Sequence, residues 1–73
     1  MSRLVRMDAS GHSQIAEWTG PGADFEQAAA ALRDELEQGY IAVWDHHDGT
    51  ATQVRELPED ADLVILRRPI AGG

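Results

Sequence analysis

Near its C-terminal end the chain carries Leu63-Val64-Ile65-Leu66, an uninterrupted apolar run with β-branched members. This run limits the fold more than any other segment. Alternating polar and apolar residues let a strand face water on one side. A continuous apolar run instead predicts a central strand covered on both faces. Because this strand comes last, the earlier elements must leave room for it in the middle of the sheet.

The upstream segments provide the neighbours it needs. Arg3-Leu4-Val5-Arg6-Met7 is compatible with a strand, Ala9-Ser10-Gly11-His12 with a turn, and Gln14-Ile15-Ala16-Glu17-Trp18-Thr19 with a returning strand. Gly20-Pro21-Gly22 stops that strand, and Asp24 with Gln27 three residues later predicts a capping box. From Phe25 to Gln38 the composition is strongly helical, and Phe25, Ala28, Ala29, Leu32 and Leu36 recur on one apolar stripe. Gly39 is placed to end the helix in a left-handed conformation. Tyr40-Ile41-Ala42-Val43-Trp44 predicts a third strand, Asp45-His46-His47-Asp48-Gly49 a polar turn, Thr50 to Leu57 a weaker strand, and Pro58 to Asp62 another turn.

This order predicts an α+β domain, a mixed sheet of four to five strands with one helix packed across it. With the apolar run in the middle, parallel to the first strand, the arrangement is the β-grasp (ubiquitin-like) fold. The expected division is a β-grasp domain over 1–69 and a flexible C-terminal tail over 70–73.

Composition removes several classes of function. At 73 residues there is room for one domain with a thin core. The charge is −7, from 13 acidic and 6 basic residues, all six of them arginines. Such a surface repels phosphate backbones and anionic lipid heads, so neither nucleic acid nor membrane is an expected partner. No cysteine is present, which excludes a disulfide framework, a zinc-thiolate site and a thiol nucleophile. No segment reads as a signal peptide or a membrane span. A cytoplasmic monomer is expected.

The end of the chain is more specific. Asp60-Ala61-Asp62 resembles the Asp-Gly-Asp turn of the sulfur carrier proteins of thiamine and molybdopterin synthesis, with Ala61 in place of the glycine. Val64 and Leu66 fall where the last strand of those proteins points inward. Pro69-Ile70-Ala71-Gly72-Gly73 is similar to the Pro-Val-(Ala/Thr)-Gly-Gly ending common among them. Arg67 and Arg68 depart from the apolar residues often found there and resemble the basic approach to the diglycine of ubiquitin. The specific resemblance covers residues 60–73, while the rest matches in element order only.

The resemblance implies a carrier or modifier, not an enzyme. A ubiquitin-activating-type adenylating enzyme would join the Gly73 carboxylate to AMP, using ATP and magnesium, and a sulfur or thiol nucleophile would displace the AMP. Neither a cofactor nor a metal is expected on this chain. Its partners would be the activating enzyme and a sulfur acceptor enzyme or a protein target. Gly72 and Gly73 lack a β-carbon and can thread a narrow active site, while Arg67, Arg68, Pro69, Ile70 and Ala71 would form the tail and its partner-binding approach. The alternative is a β-grasp interaction module that is never activated. Without lysine, the only primary amine expected is at Met1, or at Ser2 if Met1 is removed, so lysine-linked chains of itself are not expected.

Other features carry less. Trp18 and Trp44, if they face outward on the sheet, form an apolar patch for partners; if inward, they complete the core. Adjacent histidines in Asp45-His46-His47-Asp48 point apart on extended backbone and read as a polar loop, not a metal site. The acidic helix residues Glu26, Asp34, Glu35 and Glu37 are expected to be solvated. Ser10, His12 and Ser13 share a turn without the setting of a catalytic triad.

Overall fold

Strand β1 (Ser2–Asp8) pairs antiparallel with β2 (Gly11–Trp18) in the computed structural model, which describes residues 1–8 and 11–68. Of the expected first turn, Ala9 and Ser10 lie outside the described residues, and Gly11 already belongs to β2. The pairing is irregular. Leu4 faces Ala16 while Val5 faces Gln14, so Ile15 is an extra residue and the strand bulges there.

Helix α1 (Ala23–Glu37) follows. The capping box does not form: Gly22 is the cap residue, no side chain caps the helix, and the Glu26 N–H donates to the Gly22 carbonyl at 3.0 Å. Gly22 has φ 139°, a conformation open to glycine, so backbone geometry starts the helix and Asp24 is left in its first turn. There its charge complements the positive end of the helix dipole. At the other end Gly39 takes φ 98°, as its sequence position predicted. The Tyr40 N–H donates to Glu35 O and the Gly39 N–H to Leu36 O, both at 3.1 Å. These two bonds make a Schellman turn, which delivers Tyr40 directly to the start of β3.

Strands β3 (Ile41–Asp45), β4 (Ala51–Val54) and β5 (Leu63–Arg67) complete a five-stranded sheet in the order β2-β1-β5-β3-β4. As the apolar run required, β5 is central, parallel to β1 and antiparallel to β3. Its double cover is not found. One helix covers one face, so Val64 and Leu66 are 0% exposed while Leu63 and Ile65 stay half-buried on the face away from it.

Leu4, Trp18, Leu32, Val64 and Leu66 are the largest fully buried side chains. Each contributes about 1.5–3 kcal/mol by leaving water, and together with Ala28, Ala42, Leu57 and Ala61 they form one core between helix and sheet. Ala61, which stands where the resemblance has a glycine, is itself buried, outside the left-handed region, and donates its N–H to Pro58 O at 3.2 Å. Its methyl group fills core space. The architecture is therefore α+β, one helix on a mixed sheet. No helix among the described residues is long and apolar enough to cross a membrane.

Candidate functional site

The end of β5 brings together most of the residues singled out in the sequence. Strand alternation sends Val64 and Leu66 toward the helix and Leu63, Ile65 and Arg67 to the open face. Arg67 lies in register with Met7 on one side and Ile41 on the other, and it is exposed. Arg68, the next residue, turns back: its guanidinium carbon lies 5.0 Å from the centroid of the Tyr40 ring. Two adjacent arginines with the same chemistry thus serve opposite sides of the sheet.

Tyr40 is backed by a polar cluster beneath the covered face. Arg6 lies over the same ring, 5.7 Å from its centroid, and its Nη1 donates to Glu35 Oε1 at 2.9 Å. The Glu35 side chain is 8% exposed and that of Arg6 31%. The hydrogen bond and charge of Glu35 hold the Arg6 guanidinium above its ordinary pKa. Arg6 Nε is buried with no hydrogen-bond partner among the described residues. Glu35 was expected to be solvated with its acidic neighbours. It is the buried charge of α1 because it stands one turn from the helix end, directly above Arg6 of β1.

The tryptophans do not form an outward patch. Trp18 is 1% exposed, donates its indole N–H to Glu59 O at 3.2 Å, and meets Phe25 edge-on with ring centroids 6.1 Å apart. Trp44 is in register with Val64, so it shares the covered face, where it is partly buried and lies against His46 at 4.7 Å. A different set forms the apolar open face. Val5, Met7, Leu63 and Ile65 line a shallow depression of about 180 Å³ with Arg3 and His12 at its border. Val43, paired with Ile65, continues the same face. Counting layers would have found it: a single helix cannot cover both sides of a continuous apolar strand.

The histidine loop is occupied with its own closure. His47 takes φ 63°, its N–H donates to Asp45 Oδ1 at 2.9 Å, and its Nε2 lies 3.2 Å from Asp62 Oδ2. His46 Nε2 shares a hydrogen bond with Thr52 Oγ1 at 2.8 Å. Asp48 Oδ1 accepts from the Thr50 hydroxyl at 2.6 Å and the Thr50 N–H at 2.9 Å. These bonds hold the Asp48 carboxyl below its ordinary pKa. Among the described residues no three His, Asp or Glu side chains are grouped to hold a metal ion.

Pro69, Ile70, Ala71, Gly72 and Gly73 lie outside the described residues, which end at Arg68. In comparisons with protein-family models, curated proteins and solved structures, the chain matches none.

Proposed function

We propose that this chain is a β-grasp carrier or modifier of the ubiquitin-like kind, working through the carboxylate of Gly73. The observation that supports this most is the placement of β5. The last strand fills the centre of the sheet, parallel to β1, and ends at Arg67, after which the sequence reads Arg68-Pro69-Ile70-Ala71-Gly72-Gly73. A central strand is held by hydrogen bonds on both sides, so whatever follows it departs from a rigid base.

In this reading the chain is a substrate and a partner enzyme carries the chemistry. An oxygen of the Gly73 carboxylate attacks the α-phosphorus of magnesium-bound ATP, and pyrophosphate leaves. Hydrosulfide or an enzyme thiol then attacks the Gly73 carbonyl carbon, and AMP leaves. The product is a thiocarboxylate, or a thioester from which a target amine takes the acyl group. Glycines at both final positions admit this approach because no side chain crowds the carbonyl. The open face of Val5, Met7, Leu63 and Ile65, continuous with Arg67, would be the surface on which the activating enzyme docks.

Removing Gly72 and Gly73 should abolish ATP–pyrophosphate exchange by an activating enzyme captured from the native cells, while leaving the folded domain unchanged. Exchange that survives the deletion would end this reading. Intact-mass spectrometry of the native protein separates the two branches: sulfur in place of one oxygen marks a carrier, and an attached protein marks a modifier. The same open face favours a second reading, an interaction module that is never activated. Its signature is partner binding that is indifferent to trimming the tail and lost on Ile65→Glu.

A further inference from the structure

Arg67 ends β5 and Arg68 follows it, and of the two only Arg68 lies over the Tyr40 ring. We propose that Tyr40 is a positioning residue: its ring holds Arg68, fixes where the C-terminal segment leaves the domain, and leaves Arg67 as the one terminal arginine presented on the open face. The proposal rests on the carrier reading for its purpose, but its geometry stands independently of it.

Several observations converge on this ring. The Schellman turn at Gly39 leaves Tyr40 no slack, because its N–H is tied to Glu35 O at the helix end and the next residue is already in β3. The ring is half-buried, with the Arg6 guanidinium over it at 5.7 Å and Glu35 locking Arg6 at 2.9 Å. The ring is therefore backed from the core and offers its remaining surface to solvent. Arg68 is exposed by area yet sits 5.0 Å from the centroid. A cation this close to an aromatic face is attracted by the ring quadrupole, and arginine also stacks its planar group there. Its backbone lies one residue beyond the last ladder position, Arg67 opposite Ile41. Without such a contact the strand end would fray at this point.

For a tail that must enter a partner's active site, this matters in two ways. Holding Arg68 fixes the point at which the chain leaves the domain, which lowers the ordering cost on binding. It also removes one of two equivalent charges from recognition. Of the two adjacent arginines, a partner reading a basic residue at this end of the open face meets Arg67, next to Met7 and Ile41.

Trypsin provides a direct test on the free chain. It can cut Arg67–Arg68 only when the strand end opens, and Arg33–Asp34, inside α1, only when the helix opens. The rate at the first bond relative to the second therefore reads the latch and cancels global unfolding. Tyr40→Leu should raise that ratio roughly two- to fivefold, the range an exposed contact of this kind holds closed, and Tyr40→Phe, which keeps the ring, should leave it unchanged. An unchanged ratio in Tyr40→Leu, or an equal rise in both variants, overturns the proposal. Should Tyr40→Leu fail to fold, the unaltered chain still decides. Ring-current shifts in proton NMR should displace the Arg68 side-chain protons and not those of Arg67, and equal shifts overturn the proposal. Failure here leaves the diglycine experiment untouched, and failure of that experiment leaves the latch standing.

Discussion

The two faces of the sheet are built from the same five strands and differ in almost every property. On the covered face Leu4, Ala42, Val64 and Leu66 are all 0% exposed and pack beneath Ala28 and Leu32. On the open face Val5, Leu63 and Ile65 are half-buried and Met7 is 46% exposed, although they alternate residue by residue with the core set. The first group is apolar because folding requires it. The second is apolar beyond what one helix can cover. In a chain this small, where core burial is scarce, apolar side chains left outside are more informative about partners than about stability.

Neighbouring truncations on β5 are the strongest way to break that comparison. Leu66→Ala should cost about 2–5 kcal/mol, a large part of the stability of so small a domain. Ile65→Ala, one residue away, should cost about 1 kcal/mol, since its side chain is only half removed from water. Urea unfolding of both variants measures the gap, and equal losses would mean that the open face is covered in solution. An effect between those of Leu66→Ala and Met7→Gln belongs to neither face. Gly39→Ala meets no atom within 4 Å of the added carbon, so its cost is the backbone strain at φ 98° alone, about 1–2 kcal/mol. A loss near zero would show that the helix end relaxes and that Tyr40 is not held as described. On the open face itself, Met7→Gln should change stability by less than about 0.5 kcal/mol, measured in the same titration.

The smallest effect is at the β3–β4 loop. Asp48 has a lowered pKa in the folded chain, chiefly from the Thr50 hydroxyl and then the Thr50 N–H. A depressed carboxylate contributes its stabilisation above its ordinary pKa, and that contribution fades as pH falls through the lower folded value. Thr50→Val removes the hydroxyl donor and should move the Asp48 titration part of the way back up, read by carboxyl-carbon NMR. An unmoved titration would show that the hydroxyl is not the main cause.

Much of the covered face was legible in the chain because it is written in periodicity. The stripe from Phe25 to Leu36 and the glycine at 39 define the helix, and the apolar run at 63–66 requires a central strand. What escaped depends on relations that no local pattern contains. The bulge at Ile15 sets which face Trp18 shares, and nothing in Gln14–Thr19 announces it. Glu35 looks like its solvated neighbours Asp34 and Glu37, and the partner that draws it inward, Arg6, is 29 residues away. The run at 63–66 states that the strand has neighbours, but not how many layers lie over it. The resemblance at 60–73 named a tail chemistry, and residues 69–73, which would carry it, lie outside the described residues.

The parallel pairing of β1 with β5 also sets how this molecule answers a mechanical pull. From Arg3 opposite Leu63 to Met7 opposite Arg67, the strands run side by side in one direction. Force entering at Ser2 and leaving at Arg67 therefore drags them past each other lengthwise, and the evenly spaced bonds of a parallel ladder bear the load together. Force applied at Ser2 and Trp18, which face each other at the open end of the antiparallel hairpin, opens its bonds one after another. Single-molecule stretching between positions 2 and 67 should rupture at a higher force than between 2 and 18, and equal forces would show that the load bypasses the central pair. Anything tethered beyond Arg67 would thus pull on a seam loaded in shear, not on one that unzips.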